Sequence, residues 1–565
     1  MTQTTQGKRK RLIICCDGTW MDSLGKKGGE PQSNVTRISR VLRRTCHDGT
    51  HQIIMYDAGV GSSDSKVDQL TGGMLGAGLD RNIREVYNFI CANYVDGDDI
   101  ILIGFSRGAF TARSVADMIA TVGLLTPQGL EQFYAVFEDY EHLSDVDRDP
   151  NLYLNRDILR FSENSNFREW EKKRKAQYKS WLSDHGLTRH MQRDNLGAEY
   201  EITIKAIGVW DTVGTLGIPP APVSNQVENA FQSLALDEPR SAFMPALWEK
   251  LDDNKKTNLK QVWFPGSHAT VGGGWHDQQI ANITLAWMCD QLSSVGVEFS
   301  QRRMEDLFNT GLQYSAGHPY PLVPQSAWTS WLWSKKLLPW ANPKICPVDL
   351  SDAHRDTVDC NFKHSESHPK GTAEQLWKFA RPWGLGQMRY PDNRLLTIAG
   401  TVVRHPGTFK RTDPHTNEET EEHLVNTNET VHSSVRVRIA CQGLGTDDGA
   451  VWDCKPLTRR EDGSELWKLG RRPANAAELN AIKGLRPREL DLGEDEYYGK
   501  LYPVGDGDGQ WHWVISDKHR GLVSDAKALP EEPMTGYWER YLLALTAGNP
   551  DVWRWAEENP PFGLT

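Results

Sequence analysis

Ile100-Ile101-Leu102-Ile103-Gly104-Phe105-Ser106-Arg107-Gly108 is the stretch that decides the fold. Its apolar first half is typical of a buried strand, and a helical pattern of small residues follows over positions 109–120. Between the two lies Gly-x-Ser-x-Gly, which predicts a sharp strand-to-helix turn that carries Ser106. Gly104 and Gly108 have no Cβ atoms and therefore allow the strand and the helix to approach closely. The pattern predicts a nucleophilic serine, with an ordinary strand-to-helix turn as the alternative.

The segments around this turn predict a layered α/β protein. Positions 82–94 carry apolar side chains at the spacing of an amphipathic helix, and the acidic turn at 96–99 separates that helix from the strand. Further strands are predicted at residues 12–16, 53–56, 202–210 and 261–264. We therefore expect an α/β-hydrolase-like, doubly wound and mainly parallel sheet, with a helical insertion and a Trp/Pro-rich C-terminal extension.

The chain of 565 residues is long enough for several domains or subdomains. The predicted organisation is a polar tail (1–11), a catalytic domain (12–300) with a helical insertion at about 126–195, a Trp/Pro-rich lid or cap region (301–425) and a C-terminal region (426–565). Residues 430–439 alternate like a strand, and residues 280–292 form a helical pattern. Trp331 and Trp333 in the third region either belong to a satellite core or contact an apolar substrate.

Composition narrows the functional classes. The formal net charge of −11 and the lack of a long basic stripe argue against nucleic acid as a partner. The nine cysteines include no C-x-x-C pair, which predicts neither a disulfide framework nor a metal site. No secretory signal and no membrane-spanning run is visible, so we expect a cytoplasmic protein with no cofactor and at most peripheral membrane contact. The expected partner is a small-molecule or lipid ester substrate.

The order of polar residues after the predicted strands suggests a catalytic triad. A serine hydroxyl needs a base to accept its proton and a carboxylate to orient that base. In α/β-hydrolases the order along the chain is serine, acid, histidine, which points to Ser106, Asp211 and His268. His432 is the alternative base, and Asp277 is the next candidate for the acid.

An oxyanion hole is predicted from backbone N–H groups. The N–H of Arg107 follows the nucleophile directly, and Gly18 or Thr19 would supply a second donor from the end of the first strand. Asp17 has either a polar role at that strand end or a place in a structural turn. The run Gly272-Gly273-Gly274 resembles an oxyanion loop but follows the candidate histidine, and we therefore interpret it as a permissive turn.

Six ordered motifs over roughly the first 290 residues resemble the α/β-hydrolase family DUF2235, which includes the catalytic domain of Tle1-like phospholipase effectors. They are Cys16-Asp17-Gly18-Thr19-Trp20, Ser33-Asn34-Val35-Thr36-Arg37, Tyr56-Asp57-Ala58-Gly59-Val60-Gly61, Gly104-Phe105-Ser106-Arg107-Gly108-Ala109-Phe110-Thr111-Ala112-Arg113, Gly208-Val209-Trp210-Asp211-Thr212-Val213-Gly214, and Trp263-Phe264-Pro265-Gly266-Ser267-His268 with Val271-Gly272-Gly273-Gly274. The resemblance implies an ester hydrolase of the phospholipase or lipase type with Ser106 as nucleophile. The family usually has an acidic residue two positions after the histidine, where this chain has Thr270.

Three functions are consistent with these residues. The first is a serine hydrolase that cleaves carboxylic esters of lipid-like or apolar substrates through an acyl-enzyme. The second is an enzyme of natural-product (polyketide) biosynthesis that uses the same fold for lactonisation, cyclisation or acyl transfer. The third is a catalytically dead binding module.

Overall fold

A computed structural model gives the structure of the chain. The residues it describes are 9–18, 21, 31–59, 79–162, 165–194, 197–213, 222–318, 380–391, 400–413, 419–458, 464–472, 510–523, 528–534, 536–545, 552 and 556. The predicted oxyanion residue Thr19 and the tryptophans Trp331 and Trp333 lie outside the described residues.

The described elements alternate between strands and helices over the first 300 residues. The strands are β1 (Lys10–Cys16), β2 (His51–Asp57), β3 (Asp99–Phe105), β4 (Leu124–Leu125), β5 (Thr188–Arg189), β6 (Met191–Arg193), β7 (Glu199–Glu201), β8 (Ala206–Trp210), β9 (Asn229–Ala235), β10 (Asn258–Phe264), β11 (Lys410–Thr412), β12 (Glu419–His423), β13 (Glu429–His432), β14 (Trp467–Arg472), β15 (Gln510–Ile515) and β16 (Ala528–Glu532). The α-helices are α1 (Asn34–Val41), α2 (Leu79–Asn93), α3 (Arg107–Val122), α4 (Pro127–Glu131), α5 (Phe133–Glu141), α6 (Phe167–Asp184), α7 (His268–Gly272), α8 (Gln279–Ser294), α9 (Gln301–Gly317), α10 (Ser433–Ala440), α11 (Lys455–Thr458) and α12 (Tyr537–Leu545). Short 3₁₀ helices lie at Pro150–Leu152, Ser241–Phe243 and Asp517–Leu522.

The chain forms two compact units, each with its own hydrophobic core. The first unit contains Met1–Leu24, Leu42–Phe231 and Trp248–Leu259. The second contains Gly25–Val41, Gln232–Leu247 and Lys260–Thr565. The boundary passes through β9 and β10, so each of these strands contributes residues to both units.

The first unit is built on parallel strands in the order β2-β1-β3-β8. Strands β1, β3 and β8 are largely buried, as expected where helices cover a parallel sheet, whereas β2 is partly exposed. Helices α2 and α3 supply much of that cover, and α3 ends at Gly123, whose φ of 82° suits glycine. The core of this unit includes Leu12, Ile14, Ile83, Val86, Tyr87, Ile100, Leu102, Val115 and Ile119.

The predicted insertion at about 126–195 lies within the first unit. Its described part contains α4, α5 and α6, together with the short strands β5 and β6. Helix α6 buries Trp170 and Tyr178, and the Tyr178 hydroxyl donates to Asp139 at 2.6 Å. On the same helix, Lys172 and Lys173 are exposed, whereas the neighbouring Arg174 is buried. Amphipathic packing of this kind explains why so polar a sequence remains helical.

The second unit contains the parallel strands β10, β13 and β16, followed by β15 and β14 in antiparallel pairing. Its core includes Leu234, Trp263, Val431, Val435, Trp467, Trp513 and Leu529. Helices α8, α9 and α12 belong to the same unit, and Trp383, the described tryptophan of the predicted lid or cap region, is buried there.

A large, mainly parallel sheet flanked by helices confirms the predicted α/β fold class. The strand that precedes Ser106 is the third, and the helix predicted at 280–292 extends over Gln279–Ser294. Two expectations were wrong. Residues 430–439 are not one strand, because β13 ends at His432 and α10 begins at once. In addition, β9 lies between the strands that precede Asp211 and His268, and the sequence analysis missed it.

Candidate active site

Ser106 lies at a sharp turn between β3 and α3. Its backbone has φ 58° and ψ −122°, a conformation that costs free energy for a residue with a Cβ atom. The Ser106 N–H donates to the Trp210 carbonyl at 3.1 Å, which joins the turn to the end of β8. Such strain persists only where the surrounding structure enforces it. The geometry is that of a nucleophile elbow, in which the hydroxyl is held at the end of a strand and above a helix N-terminus.

Gly104 and Gly108 allow this turn to pack tightly, as predicted. A Cβ on Gly104 would lie 2.6 Å from the Ala109 Cα, and one on Gly108 would overlap the carbonyl oxygens of Cys16 and Asp17. Any side chain at Gly108 would therefore push α3 away from the end of β1. The two glycines bring the elbow and the first strand of the sheet into direct contact.

The loop after β1 lies beside the elbow. A Cβ on Gly18 would be 3.4 Å from the Ser106 Cβ and 2.9 Å from the Phe105 ring. The Gly18 N–H donates to the Asp17 carboxylate at 2.7 Å, and the Tyr56 hydroxyl donates to the other carboxylate oxygen at 2.7 Å. Asp17 thus holds the loop in place. As an oxyanion donor, the Gly18 N–H would have to exchange this bond for one to the substrate.

Asp211 is brought next to the elbow by the register of β3 and β8. Phe105 pairs with Trp210, so Ser106 and Asp211 each follow directly after a paired residue. Asp211 is fully buried and has a φ of 39°. Both residues therefore leave their strands with a positive φ at the same edge of the sheet, where open α/β sheets form their sites.

Asp57 is a further carboxyl group at this edge, and sequence reasoning gave it no role. It pairs with Cys16 in the register of β1 and β2, and its backbone carbonyl accepts the Asp17 N–H at 2.9 Å. Burial raises the pKa of Asp57 to about 7, although the Asn82 amide, which donates at 2.8 Å, acts in the opposite direction. The sequence feature that could have identified Asp57 as a candidate site residue was its position directly after an apolar strand.

His268 begins α7 in the second unit, shortly after β10. The side chain is buried, and its ring meets the Phe243 ring edge-on at a centroid distance of 5.1 Å. The His268 N–H donates to the Glu238 carboxylate at 3.2 Å, and Glu238 also accepts from the Arg240 guanidinium. Glu238 and Arg240 were missed because they follow β9, which was itself missed. The apolar run that ends in Asp237-Glu238 was the available signal.

The glycine run after His268 is a packing turn in the second unit. A Cβ on Gly273 would lie 2.8 Å from the Asn34 nitrogen, and the Gly274 N–H donates to the Gln32 carbonyl at 3.0 Å. The Asn34 amide in turn donates to the Val271 carbonyl at 3.1 Å. These contacts agree with the interpretation of the glycine run as a turn that only glycine fits. They also show how the Ser-Asn-Val-Thr-Arg motif supports the helix that carries His268.

The comparisons with known proteins name the family. Residues 10–291 match the family model described as the T6SS phospholipase effector Tle1-like catalytic domain. This part of the chain belongs to the Tle1-like catalytic-domain family. The match contains Ser106, Asp211 and His268, and it confirms the resemblance inferred from the six motifs.

Relatives of this Tle1-like domain are distant. An uncharacterised protein of Saccharomyces cerevisiae, YEL023C, is 30% identical over 257 residues, which is 41% of this chain and 32% of the yeast protein. A crystal structure of an uncharacterised protein from Pseudomonas aeruginosa is 16% identical, with a TM-score of 0.28, covering 52% of this chain and 46% of that one. The structure of the Tle1 effector bound to the VgrG spike of the type 6 secretion system is 14% identical, with a TM-score of 0.23, covering 48% and 52% respectively.

Two further residues of the Tle1-like domain have structural partners. Thr270, which stands where the family usually has an acid, accepts the Arg389 N–H at 3.2 Å. Asp277, the reserve candidate for the acid, accepts the Gln279 N–H at 2.9 Å at the start of α8 and the Gln387 N–H at 3.2 Å. Burial raises the pKa of Asp277, with these hydrogen bonds acting in the opposite direction.

The alternative base, His432, lies outside the matched residues of the Tle1-like domain. Its Nδ1 accepts the Ser434 N–H at 3.2 Å at the start of α10, and its Nε2 lies 3.0 Å from a carboxyl oxygen of Glu539. The ring is buried, and burial lowers its pKa to about 4, although Glu531 and Glu532 oppose the shift. Both ring nitrogens are thus engaged in holding α10 and α12.

Within the described part of the chain, no group of three or more His, Cys, Asp or Glu side chains is arranged to hold a metal ion. Among the same residues, no helix combines the length and the apolar character that a membrane span requires.

Proposed function

We propose that this Tle1-like domain is a serine hydrolase that cleaves carboxylic esters of lipid-like substrates. The observation that carries the proposal is the strained backbone of Ser106 at the N-terminus of α3. In an acyl-transfer enzyme, this strained conformation exposes the serine hydroxyl to the carbonyl group of the substrate. The first-turn N–H groups of α3 also favour negative charge at this position.

In the proposed reaction, the Ser106 Oγ attacks the ester carbonyl while His268 accepts the hydroxyl proton. Negative charge develops on the carbonyl oxygen and is stabilised by the Arg107 N–H. Collapse of the tetrahedral intermediate expels the alcohol, which takes the proton from the imidazolium and leaves an acyl-serine. Water, activated by the same imidazole, then releases the acid.

Asp211 is the proposed acid of the triad. Its buried carboxylate would orient the imidazole and stabilise the imidazolium that forms in each half-reaction. Its position directly after β8, in register with Ser106 after β3, supports this assignment. The family description, which names phospholipase effectors, supports a glycerophospholipid as the type of ester. Since the match covers 32% of the yeast relative, substrate and partners of the whole protein belong to this proposal as well.

Fluorophosphonate labelling and ester turnover test the proposal. Ser106→Ala is expected to abolish labelling and to reduce turnover by about five to six orders of magnitude. The exposed Ser294, whose hydroxyl bonds the Gln291 carbonyl at 2.6 Å, provides the matched control Ser294→Ala. Equal labelling of wild type and Ser106→Ala would refute the nucleophile assignment.

The base and the substrate need separate measurements. His268→Ala is expected to reduce turnover almost as much as Ser106→Ala, and the double variant is expected to lose no more than either single one. Loss of activity in His432→Gln with retention in His268→Ala would overturn the choice of base. A p-nitrophenyl ester chain-length series beside a phospholipid panel identifies the substrate, and cleavage of none of these esters would contradict the proposed hydrolysis.

A further inference from the structure

A buried carboxylate–guanidinium pair follows β9 in the second unit. The Glu238 side chain is fully buried and accepts from Arg240 through Nε at 2.6 Å and through Nη2 at 2.9 Å. The Arg240 backbone N–H adds a third bond at 3.1 Å. A charged pair removed from water gains little net stability, because the desolvation of both groups offsets their attraction. Stability alone therefore does not explain why this ion pair is buried, and we look for a functional role.

The pair contacts His268 in two ways. One Glu238 carboxylate oxygen accepts the His268 N–H at 3.2 Å, which fixes the backbone at the start of α7. The Arg240 guanidinium lies 3.6 Å from the centroid of the Phe243 ring, and that ring meets the imidazole edge-on. Backbone and ring of His268 are thus both held by groups that depend on this ion pair.

The carboxylate of Glu238 is ionised at neutral pH. Burial alone would raise its pKa, but the hydrogen bonds and charge of Arg240, together with the charges of His268 and Arg404, lower the pKa below its ordinary value. Arg404 is anchored nearby, donating to the Ala235 carbonyl at 2.7 Å.

We infer that Glu238, held by Arg240, is a positioning residue for His268. It orients the histidine directly through the backbone N–H and, by way of Arg240, through the Phe243 ring. This inference rests on the proposed function, in which His268 is the base. It assigns no direct contact between Glu238 and the substrate.

The second unit offers a matched control for this ion pair. Arg436 donates to Glu531 through Nε at 2.8 Å and through Nη2 at 3.0 Å, and its guanidinium lies 4.8 Å from the Trp511 ring centroid. This pair joins α10 to β16, and both side chains are buried. Glu531→Gln therefore removes a comparable charge from a comparable environment.

The first test is the pH profile of fluorophosphonate labelling for wild type, Glu238→Gln and Glu531→Gln. We expect Glu238→Gln to label about 10-fold to 100-fold more slowly, as for a small misplacement of a catalytic group. The slower labelling is expected across the whole pH profile, because the imidazole loses its orientation at the start of α7. Glu531→Gln is expected to lose melting temperature while keeping the wild-type profile. Identical profiles for both variants and wild type would overturn the inference.

The second test does not depend on catalysis. Hydrogen exchange measured by mass spectrometry on peptides covering residues 265–272 is expected to be faster in Glu238→Gln and in Arg240→Lys than in wild type and in Glu531→Gln. Unchanged exchange in both variants would overturn the inference even if activity fell. Labelling of Ser106→Ala at the wild-type level would refute the proposed function instead, and the exchange result would still report whether Glu238 holds the start of α7.

Discussion

At the scale of single residues, Ser106 and Asp211 both have a positive φ, which residues with a side chain rarely adopt. Their φ values are 58° and 39°. Strain of this kind costs about 1–3 kcal/mol per residue and tends to persist where function requires it. Both residues directly follow a strand, and Phe105 and Trp210 before them are paired. Among the residues that the structure describes, two of the eight non-glycine residues with a positive φ therefore lie at the sheet edge where the chemistry is proposed.

Ser106→Gly is expected to stabilise the protein while it destroys activity. Removing the Cβ relieves the strain, and the extra freedom of glycine in the unfolded chain cancels part of that gain, which leaves a net increase of about 1 kcal/mol in the free energy of unfolding. Ser106→Ala keeps its Cβ and should change the free energy by less than about 0.5 kcal/mol. Urea unfolding of the three proteins checks this, and a destabilised Ser106→Gly would argue against strain at the elbow.

At the scale of elements, the close packing of α3 against the sheet depends on residues with small side chains or none. Gly104, Gly108 and the alanines of α3 let the helix approach β1 and β3 closely. The sequence predicted this approach because the small residues recur at helical spacing. Beside that helix, the loop after β1 owes its form to the Asp17 carboxylate, which accepts from Gly18 and Tyr56.

Gly108→Ala is expected to lower the free energy of unfolding by about 1–3 kcal/mol, because its methyl group would overlap two carbonyl oxygens of the β1 loop. The displaced elbow should also label more slowly with a fluorophosphonate. Gly317→Ala is the control, since a Cβ there meets nothing within 4 Å and the helix α9 gains a better helix former. Equal stability of Gly108→Ala and wild type would show that α3 can move at little cost.

At the scale of the whole molecule, each unit has a separate apolar core, and the second also buries a titratable network. His432, Glu539 and Asp290 lie in this network, where Asp290 accepts the Trp538 and Glu539 N–H groups at the start of α12. Burial raises the pKa of both Asp290 and Glu539. The three side chains hold α8, α10 and α12 together.

His432 is expected to make stability depend on pH. The pKa of His432 is about 4 in the folded chain, and its ordinary value is 6.5. Between pH 4 and pH 6.5 the imidazole is therefore protonated in the unfolded state but not in the folded state. Stability therefore falls as the pH drops through this window, with a slope approaching about 1.4 kcal/mol per pH unit from this group. The difference in unfolding free energy between wild type and His432→Gln should shrink from pH 7 to pH 4.5. The exposed His185, changed to Gln, is the control substitution, and a constant difference for His432→Gln would contradict the assignment.

The sequence by itself determined the features that depend on local patterns. The elbow, its two glycines, the strand ends at Asp17 and Asp211 and the α/β class all follow from periodicity and turn chemistry within a few residues. The family match over residues 10–291 agrees with motifs that are local in the same sense. Each of these features is specified by neighbours along the chain, and so it could be predicted.

Only the tertiary structure decided which distant groups meet. Glu238 reaches the backbone of His268 30 positions later, Asn34 reaches Val271, and His432 reaches Glu539 across 107 positions. The strand predicted at 430–439 was wrong for a local reason, because His432 caps a helix that begins at Ser433 and the alternating pattern did not reveal that cap. Hydrogen bonds between distant segments leave no periodic signal, because their partners are set by packing and burial rather than by spacing along the chain.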